Sequence, residues 1–292
     1  MKYIILMFIS LFFLACSGIK PDTKKESQEI VDLVSLPQDI EFYMQNLQED
    51  QKLPNEEREE RYIKYYFNVW NNSKPRENKE SVLWPFNAYT AQNSFGENLK
   101  PLSSQFFVKM RENSNFDTYG VVSKKGITLT YTSLRLFPTN RPLFKDPAKA
   151  GEGFPFDYLQ NSSVAPNKPL FISHYSKDKE WAYVFSSFAS GWIPTKEMVI
   201  LEEEQVQTIQ KAELLFFTKE DFTIADVDGN FLFRSRVGMN LPLIGEEEDY
   251  FIALAIHSYK NTAPQFLEVK IPKTVAQKSV LSFTKENIIN IV

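Results

Sequence analysis

Gly126-Ile127-Thr128-Leu129-Thr130-Tyr131 alternates apolar and hydroxyl-bearing side chains and is rich in β-branched residues. That period of two puts successive side chains on opposite faces of an extended chain, so the stretch reads as a β-strand. Upstream the period is different. Ile40, Tyr43, Met44 and Leu47 recur at three- and four-residue steps, as one face of an amphipathic helix requires. Tyr62, Tyr65, Tyr66 and Val69 form the stripe of a second helix, with Asn55 placed as its N-cap and Glu56 and Glu57 near its positive end. Ser104 to Asn113, carrying Phe106, Phe107 and Met110, predicts a third helix. Gly126 therefore marks the change from helix to sheet.

Beyond it, Leu170 to Tyr175 and Trp181 to Phe185 alternate in the same way, and Lys177-Asp178-Lys179 between them predicts a hairpin connection. A compact β-domain is expected to end near Leu201. A second one is signalled by Phe222 to Val227 and Asn230 to Phe233, which flank Asp228-Gly229, a dipeptide suited to the positive φ angles of a tight turn. Tyr250 to Ile256 and Phe266 to Lys270 are expected to complete it. The fold class predicted is α+β, an N-terminal helical segment followed by two small β-domains.

The 292 residues, 43% hydrophobic and 14% aromatic, have a globular composition. A net charge of −4 gives no basic field for displacing counterions from phosphates, which sets nucleic acid aside as a partner. The single cysteine, Cys16, excludes an internal disulfide and a multi-thiolate metal site. It follows Lys2 and an apolar run from Tyr3 to Leu14, long enough for a signal peptide and too short to span a bilayer. Phe13-Leu14-Ala15-Cys16 resembles the bacterial lipobox, with Phe13 where leucine is usual. Cleavage before Cys16 and lipidation of its thiol are expected, with acyl chains supplying about 0.8 kcal/mol per buried methylene. The polar stretch from Ser17 to about Ser35 reads as a tether, and about 18 extended residues reach roughly 60 Å. Ser17 is not the aspartate that holds many lipoproteins in the inner membrane, so an outer-membrane position facing the periplasm is expected in a diderm cell.

Several chemical motifs are missing. There is no Gly-x-Ser-x-Gly elbow, no phosphate loop ending in Gly-Lys and no His-Glu-x-x-His helix. Gly151-Glu152-Gly153 runs into Pro155 and reads as a loop, not a dinucleotide site. Asp226-Val227-Asp228-Gly229-Asn230 starts like a calcium loop, but Phe231 stands where glycine is needed and Val237 where the closing glutamate belongs. Glu202-Glu203-Glu204 and Glu246-Glu247-Glu248-Asp249 read as solvated faces. His174 and His257 sit in apolar strand contexts and read as structural or surface groups, and Trp181 and Trp192 as barrel core or edge. No cofactor and no metal site are expected.

Five stretches together resemble the accessory region of NlpC-type peptidoglycan hydrolases. They are Phe95-Gly96-Glu97-Asn98-Leu99, Leu134-Arg135-Leu136-Phe137-Pro138-Thr139, Phe154-Pro155-Phe156-Asp157-Tyr158-Leu159-Gln160-Asn161-Ser162, His174 to Trp181, and Gly191-Trp192-Ile193-Pro194. The likeness runs from about Pro37 to the C-terminus and is strongest between Gly126 and Leu201. The signal peptide is expected over 1–15 and the tether over 16–36, and the resemblance implies a helical clip domain over 37–120. Bacterial SH3-like barrels are implied over 121–201 and 202–275, with a lead-in to a peptidase domain over 276–292.

Such hydrolases carry a nucleophilic cysteine paired with histidine in that following domain. In this sequence Cys16 is committed to anchoring, so no peptidase activity is expected of the chain alone. The resemblance implies an envelope lipoprotein, membrane-held through its lipid, that binds peptidoglycan or a separately encoded wall peptidase. The alternative is a truncated or split endopeptidase completed elsewhere. In the family the first barrel helps to wall the pocket that receives the wall peptide's amino end, which makes Asp157 and Tyr158 the candidate binding residues, as carboxylate and aromatic wall. A turn-stabilising Asp157 and a packed Tyr158 are the other reading of the same residues.

Overall fold

The computed structural model describes residues 34–37, 39–46, 55–258, 263–282, 284, 285 and 287. The expected signal peptide, Cys16, the tether up to residue 33 and Leu47 lie outside the described residues. Among the described residues no helix is long and apolar enough to cross a membrane.

The chain is an α+β protein with its helices first. α1 (Ile40–Asn46) and α2 (Asn55–Tyr66) form where the helical period places them, α2 starting at Asn55 itself. Tyr66 is buried and Tyr62 packs against the same cluster, but Tyr65 is 51% exposed, so the apolar stripe is narrower than the sequence suggests. Adjacent helical residues point about 100° apart, and α2 meets the rest of the protein along one line only. The stripe continues through a 3-10 turn, Asn68–Asn71, which buries Val69 and Trp70. Two short helices, α3 (Lys79–Val82) and α4 (Pro85–Ala88), show no period because each is barely one turn long. Local chemistry makes them: the Asn78 side chain accepts the Ser81 N–H, and Pro85 opens α4 with its φ already helical. α5 (Ser104–Asn113) has the bounds the sequence predicts and is capped by Ser103.

The first β-unit is a seven-stranded antiparallel sheet in the order β3-β2-β6-β5-β4-β1-β7. Its strands are β1 (Lys124–Thr128), β2 (Thr132–Arg135), β3 (Gln160–Val164), β4 (Pro169–Tyr175), β5 (Trp181–Phe185), β6 (Ser190–Pro194) and β7 (Met198–Ile200). β1 stops at Thr128, short of the alternating run, because Leu129 and Thr130 turn the chain into β2. At Gly126 a Cβ would lie 2.7 Å from the Val199 carbonyl oxygen and 2.8 Å from Ile172 Cδ1, so only hydrogen fits there. β4 and β5 are buried on both faces. Ile172, Ala182 and Val184 fill the inside of the unit, while Phe171, Tyr183 and Phe185 face the helices.

A helix absent from the sequence reading, α6 (Glu203–Lys211), joins the two β-units. Its start is the acidic run Glu202-Glu203-Glu204, which favours the positive helix end, and Gln205 completes a capping box with Glu202. The second unit contains β8 (Leu214–Phe217), β9 (Thr223–Ala225), β10 (Phe231–Arg234), β11 (Asn240–Glu246), β12 (Tyr250–His257), β13 (Gln265–Pro272) and β14 (Ala276–Gln277). β9 and β10 pair around the Asp228-Gly229 turn, with Gly229 at φ 83°, and the other strands form a sheet in the order β13-β12-β11-β8-β14.

One core crosses the whole molecule. Tyr66, Phe67 and Trp70 from the helical segment meet Ile127, Phe171 and Trp192 from the first β-unit and Leu214, Phe216 and Ile256 from the second. Hydrogen bonds lock the same junction. The Trp70 indole N–H is 3.1 Å from the carbonyl oxygens of both Gly126 and Leu170. Asn167 holds φ 57° in the β3–β4 turn, and its side-chain amide accepts the Ile256 N–H at 2.6 Å and donates to the Ile256 carbonyl at 2.9 Å.

Candidate binding cleft beside Asp157

The segment from Phe154 to Asn161 leaves the helical side of the protein and enters β3. Asp157 fixes its path. One carboxylate oxygen accepts the backbone N–H groups of Leu143 at 3.0 Å and Leu159 at 2.9 Å, and the other lies 2.6 Å from Arg135 Nη1. Arg135 is buried, and it also donates to the carbonyls of Thr139 and Arg141 and to the Gln160 side chain. A buried guanidinium with a carboxylate and three further acceptors is well satisfied, which is the condition for a buried ion pair to hold its place. Of the roughly four lone-pair sites a carboxylate offers, Asp157 has one left, on the oxygen that meets Arg135.

Tyr158 packs with Tyr89, ring centroids 6.4 Å apart, and the Lys145 ammonium lies 4.7 Å from its ring centre. Burial first, then the neighbouring Tyr158 and Asp157, raises the Tyr89 phenol above its ordinary pKa. Tyr89, Asp157 and Tyr158 line a cleft of about 610 Å³ with Trp84, Phe156 and the amides Gln160 and Asn161. Trp84 is 48% exposed and Phe156 53% exposed, an open presentation for such large rings. The cleft therefore offers aromatic walls for stacking, an amide rim and one oxygen lone pair, with the Asp157 charge already balanced by Arg135. Arg135 lies between the buried Leu134 and Leu136, and its role is not legible from the sequence alone. A lone arginine inside an apolar strand signals a buried acid opposite it without saying which one.

Three family matches lie in order along the chain. Residues 5–119 match the family described as NLPC_P60 stabilising domain, N term, residues 142–194 match the SH3 domain of SH3b1 type, and residues 202–248 match the SH3 domain of SH3b2 type. The chain carries an NlpC/P60 stabilising domain followed by two SH3 domains. None of the three matched families is a catalytic domain. No curated protein matches the sequence. Among solved structures, a novel NlpC/P60 endopeptidase from Photobacterium damselae subsp. piscicida superposes with a TM-score of 0.70 at 20% identity. The match covers 87% of this chain and 60% of that one, and at this identity it establishes a shared fold. Trp84 and Tyr89 belong to the stabilising domain and Phe156 to Asn161 to SH3b1, so the cleft lies between the two domains.

The remaining candidates fall outside the cleft. Trp192 and Trp181 are buried in the face of SH3b1 that meets the helices. His174 is 0% exposed, and its Nε2 lies 3.0 Å from the Ser114 carbonyl, so that nitrogen carries the proton and donates it. Nδ1, 3.1 Å from Ser173 Oγ, then accepts, and Ser173 Oγ in turn accepts the Gly120 N–H. Burial holds the ring neutral, its pKa pushed down to about 4, so His174 serves as a strut between SH3b1 and the stabilising domain. Burial also lowers the pKa of His257, which ends β12. Asp226 uses its carboxylate on the backbone N–H groups of Asp228 and Asn230 and on the Asn230 side chain, as a hairpin turn does. Among the described residues no cluster of three or more histidine, cysteine, aspartate or glutamate side chains is placed to hold a metal ion.

Proposed function

We propose that this chain is a wall-binding module of the bacterial cell envelope and that the cleft between the stabilising and SH3b1 domains takes a peptidoglycan stem peptide. The observation that carries the proposal is the open aromatic cleft itself, lined by Trp84, Tyr89, Phe156 and Tyr158, with Trp84 and Phe156 about half exposed. Flat rings stack on the peptide and N-acetyl groups of wall fragments without needing a counter-charge. An amino terminus arriving at Asp157 finds the remaining lone pair on the Arg135-facing oxygen, and Tyr158 supplies the wall beside it. The matched SH3 domains support cell-wall binding in general terms.

The module is held at the membrane by lipid on Cys16, with the tether lifting it toward the wall. Cys16→Ala should move the protein from the membrane to the soluble fraction, and unchanged membrane retention would rule out the lipid anchor. For the binding role, the full chain is incubated with purified sacculi, and both co-sedimentation and released muropeptides are measured. Co-sedimentation without release is expected. Release would show that the chain hydrolyses wall by itself and overturn the non-catalytic reading.

A second reading is favoured by the solved endopeptidase, of which this chain spans 60%. In that reading the cleft forms one side of a peptidase site whose catalytic domain comes from outside this sequence, in the same gene or a separate one. Adding a candidate peptidase from the same cell should then convert binding of sacculi into muropeptide release.

A further inference from the structure

On another part of the surface, the stabilising domain and both SH3 domains meet around a pocket of about 190 Å³. Tyr66, Pro166, Phe188 and Met239 give it apolar walls, and Lys168 and Asn240 line it as well. The backbone of Lys168 is fixed, its N–H donating to Thr128 Oγ1 at 2.9 Å and its carbonyl accepting the Thr128 N–H at 3.2 Å. The Lys168 ammonium sits 3.9 Å from the centre of the Tyr66 ring, and among the described residues no carboxylate pairs with it. Burial pushes its pKa down to about 8. Asn240 is 2% exposed, and its side-chain oxygen accepts the Tyr62 hydroxyl while its Nδ2 group has no acceptor among the described residues. The other cation in the lining, Arg236, is already neutralised by Glu220 at 2.7 Å and Asp221 at 2.8 Å.

We infer that this pocket is a second binding site, for a carboxylate bearing a small apolar group, with Lys168 Nζ and Asn240 Nδ2 as its donors. A buried donor without an acceptor is rare in folded proteins, and Asn240 Nδ2 shares the pocket lining with the half-buried Lys168 ammonium, which no carboxylate among the described residues neutralises, so the two call for a shared acceptor. One amine and one amide match the two oxygens of a carboxylate. A phosphate dianion needs more donors than these, and the apolar walls disfavour a strongly hydrated ion. The carboxylate is either that of a free small acid or the end of a peptide. The site is separate from the cleft, so its test is independent of the wall-binding proposal.

The test uses the full chain and competition for amine acylation. Lysines are acetylated with an N-hydroxysuccinimide ester, and the rate at each site is read by peptide mapping with and without sodium propionate, N-acetyl-D-alanine or neutral propionamide. Both carboxylates should slow acylation of Lys168 saturably in the millimolar range, by about 10-fold at saturation, and leave other lysines unchanged. Propionamide should have no effect. The carboxylate that protects at lower concentration identifies the source, a free acid for propionate or a peptide end for N-acetyl-D-alanine. In calorimetry, Lys168→Met should lose propionate binding while keeping the native circular dichroism spectrum. No protection by either carboxylate at about 50 mM, or equal protection by propionamide, would overturn the site.

Discussion

Asn167 clamps Ile256 by both of its backbone groups, and its own carbonyl accepts the Tyr66 hydroxyl at 3.1 Å. One side chain thus joins SH3b1 to SH3b2 at the point where the stabilising domain touches both. Asn167→Ala leaves a buried N–H and a buried C=O without partners and puts alanine at positive φ. At about 1–3 kcal/mol for each orphaned group, the expected loss is roughly 3 kcal/mol, read from the urea unfolding midpoint. A loss below about 0.5 kcal/mol would show that the clamp does not hold the domains.

The shared core has a consequence for cooperativity. Phe216 of SH3b2 packs edge-on against Tyr62 of the stabilising domain, ring centroids 5.3 Å apart. Phe216→Ala should cost about 3–5 kcal/mol and shift far-ultraviolet dichroism and tryptophan fluorescence together, since the cavity opens in a core common to all three domains. Separate transitions, with only the SH3b2 signal moving, would show that the domains unfold independently.

His174 should set an acid limit on stability. Its folded pKa of about 4 lies below the model-peptide value of about 6.5, so the unfolded chain binds more protons between those limits. Its contribution is complete above pH 6.5 and is lost as pH falls toward 4, by up to about 3 kcal/mol. Unfolding free energy measured from pH 7 to pH 4 should show this fall. His174→Gln, which keeps a donor and an acceptor but does not titrate, should flatten it. An unchanged slope in the variant would assign the acid limit to other groups.

Arg135 and Asp157 should prove structural partners before they are binding groups. Arg135→Met strands a largely buried carboxylate and is expected to cost about 3–5 kcal/mol in thermal or urea unfolding. The double variant Arg135→Met, Asp157→Leu should recover part of that loss, because it removes the charge left behind. A single variant as stable as the wild type would mean that the pair is not needed to hold the cleft wall.

The sequence carried the order of elements more faithfully than their joints. Alternation found the β4–β5 hairpin and Asp228-Gly229 found the β9–β10 turn, because both signals are local. Helical period found α2 and α5 but missed α3 and α4, which are too short to show one, and α6, whose acidic start read as a solvated face. Tyr65 was placed on the wrong side because stripe width depends on what packs against a helix. Asp157 and Tyr158 do lie in one cleft, yet Trp84 and Tyr89, about 70 residues earlier in the chain, complete it, and no local pattern links them. Asn167 and the Lys168 pocket were invisible for the same reason: their partners come from three domains.

The most direct test of the cleft is calorimetric titration of the full chain with a purified wall stem peptide, comparing wild type with Trp84→Ala. Trp84 is half exposed and its ring packs beside Tyr89, so its removal should lower the melting temperature by some degrees while leaving the native circular dichroism spectrum in place at the titration temperature. Saturable binding by the wild type, weakened at least 10-fold in the variant, is the expected result, about 1.4 kcal/mol of lost stacking. Equal affinity in the two proteins, or no binding by either, would contradict a wall-peptide site between the stabilising and SH3b1 domains.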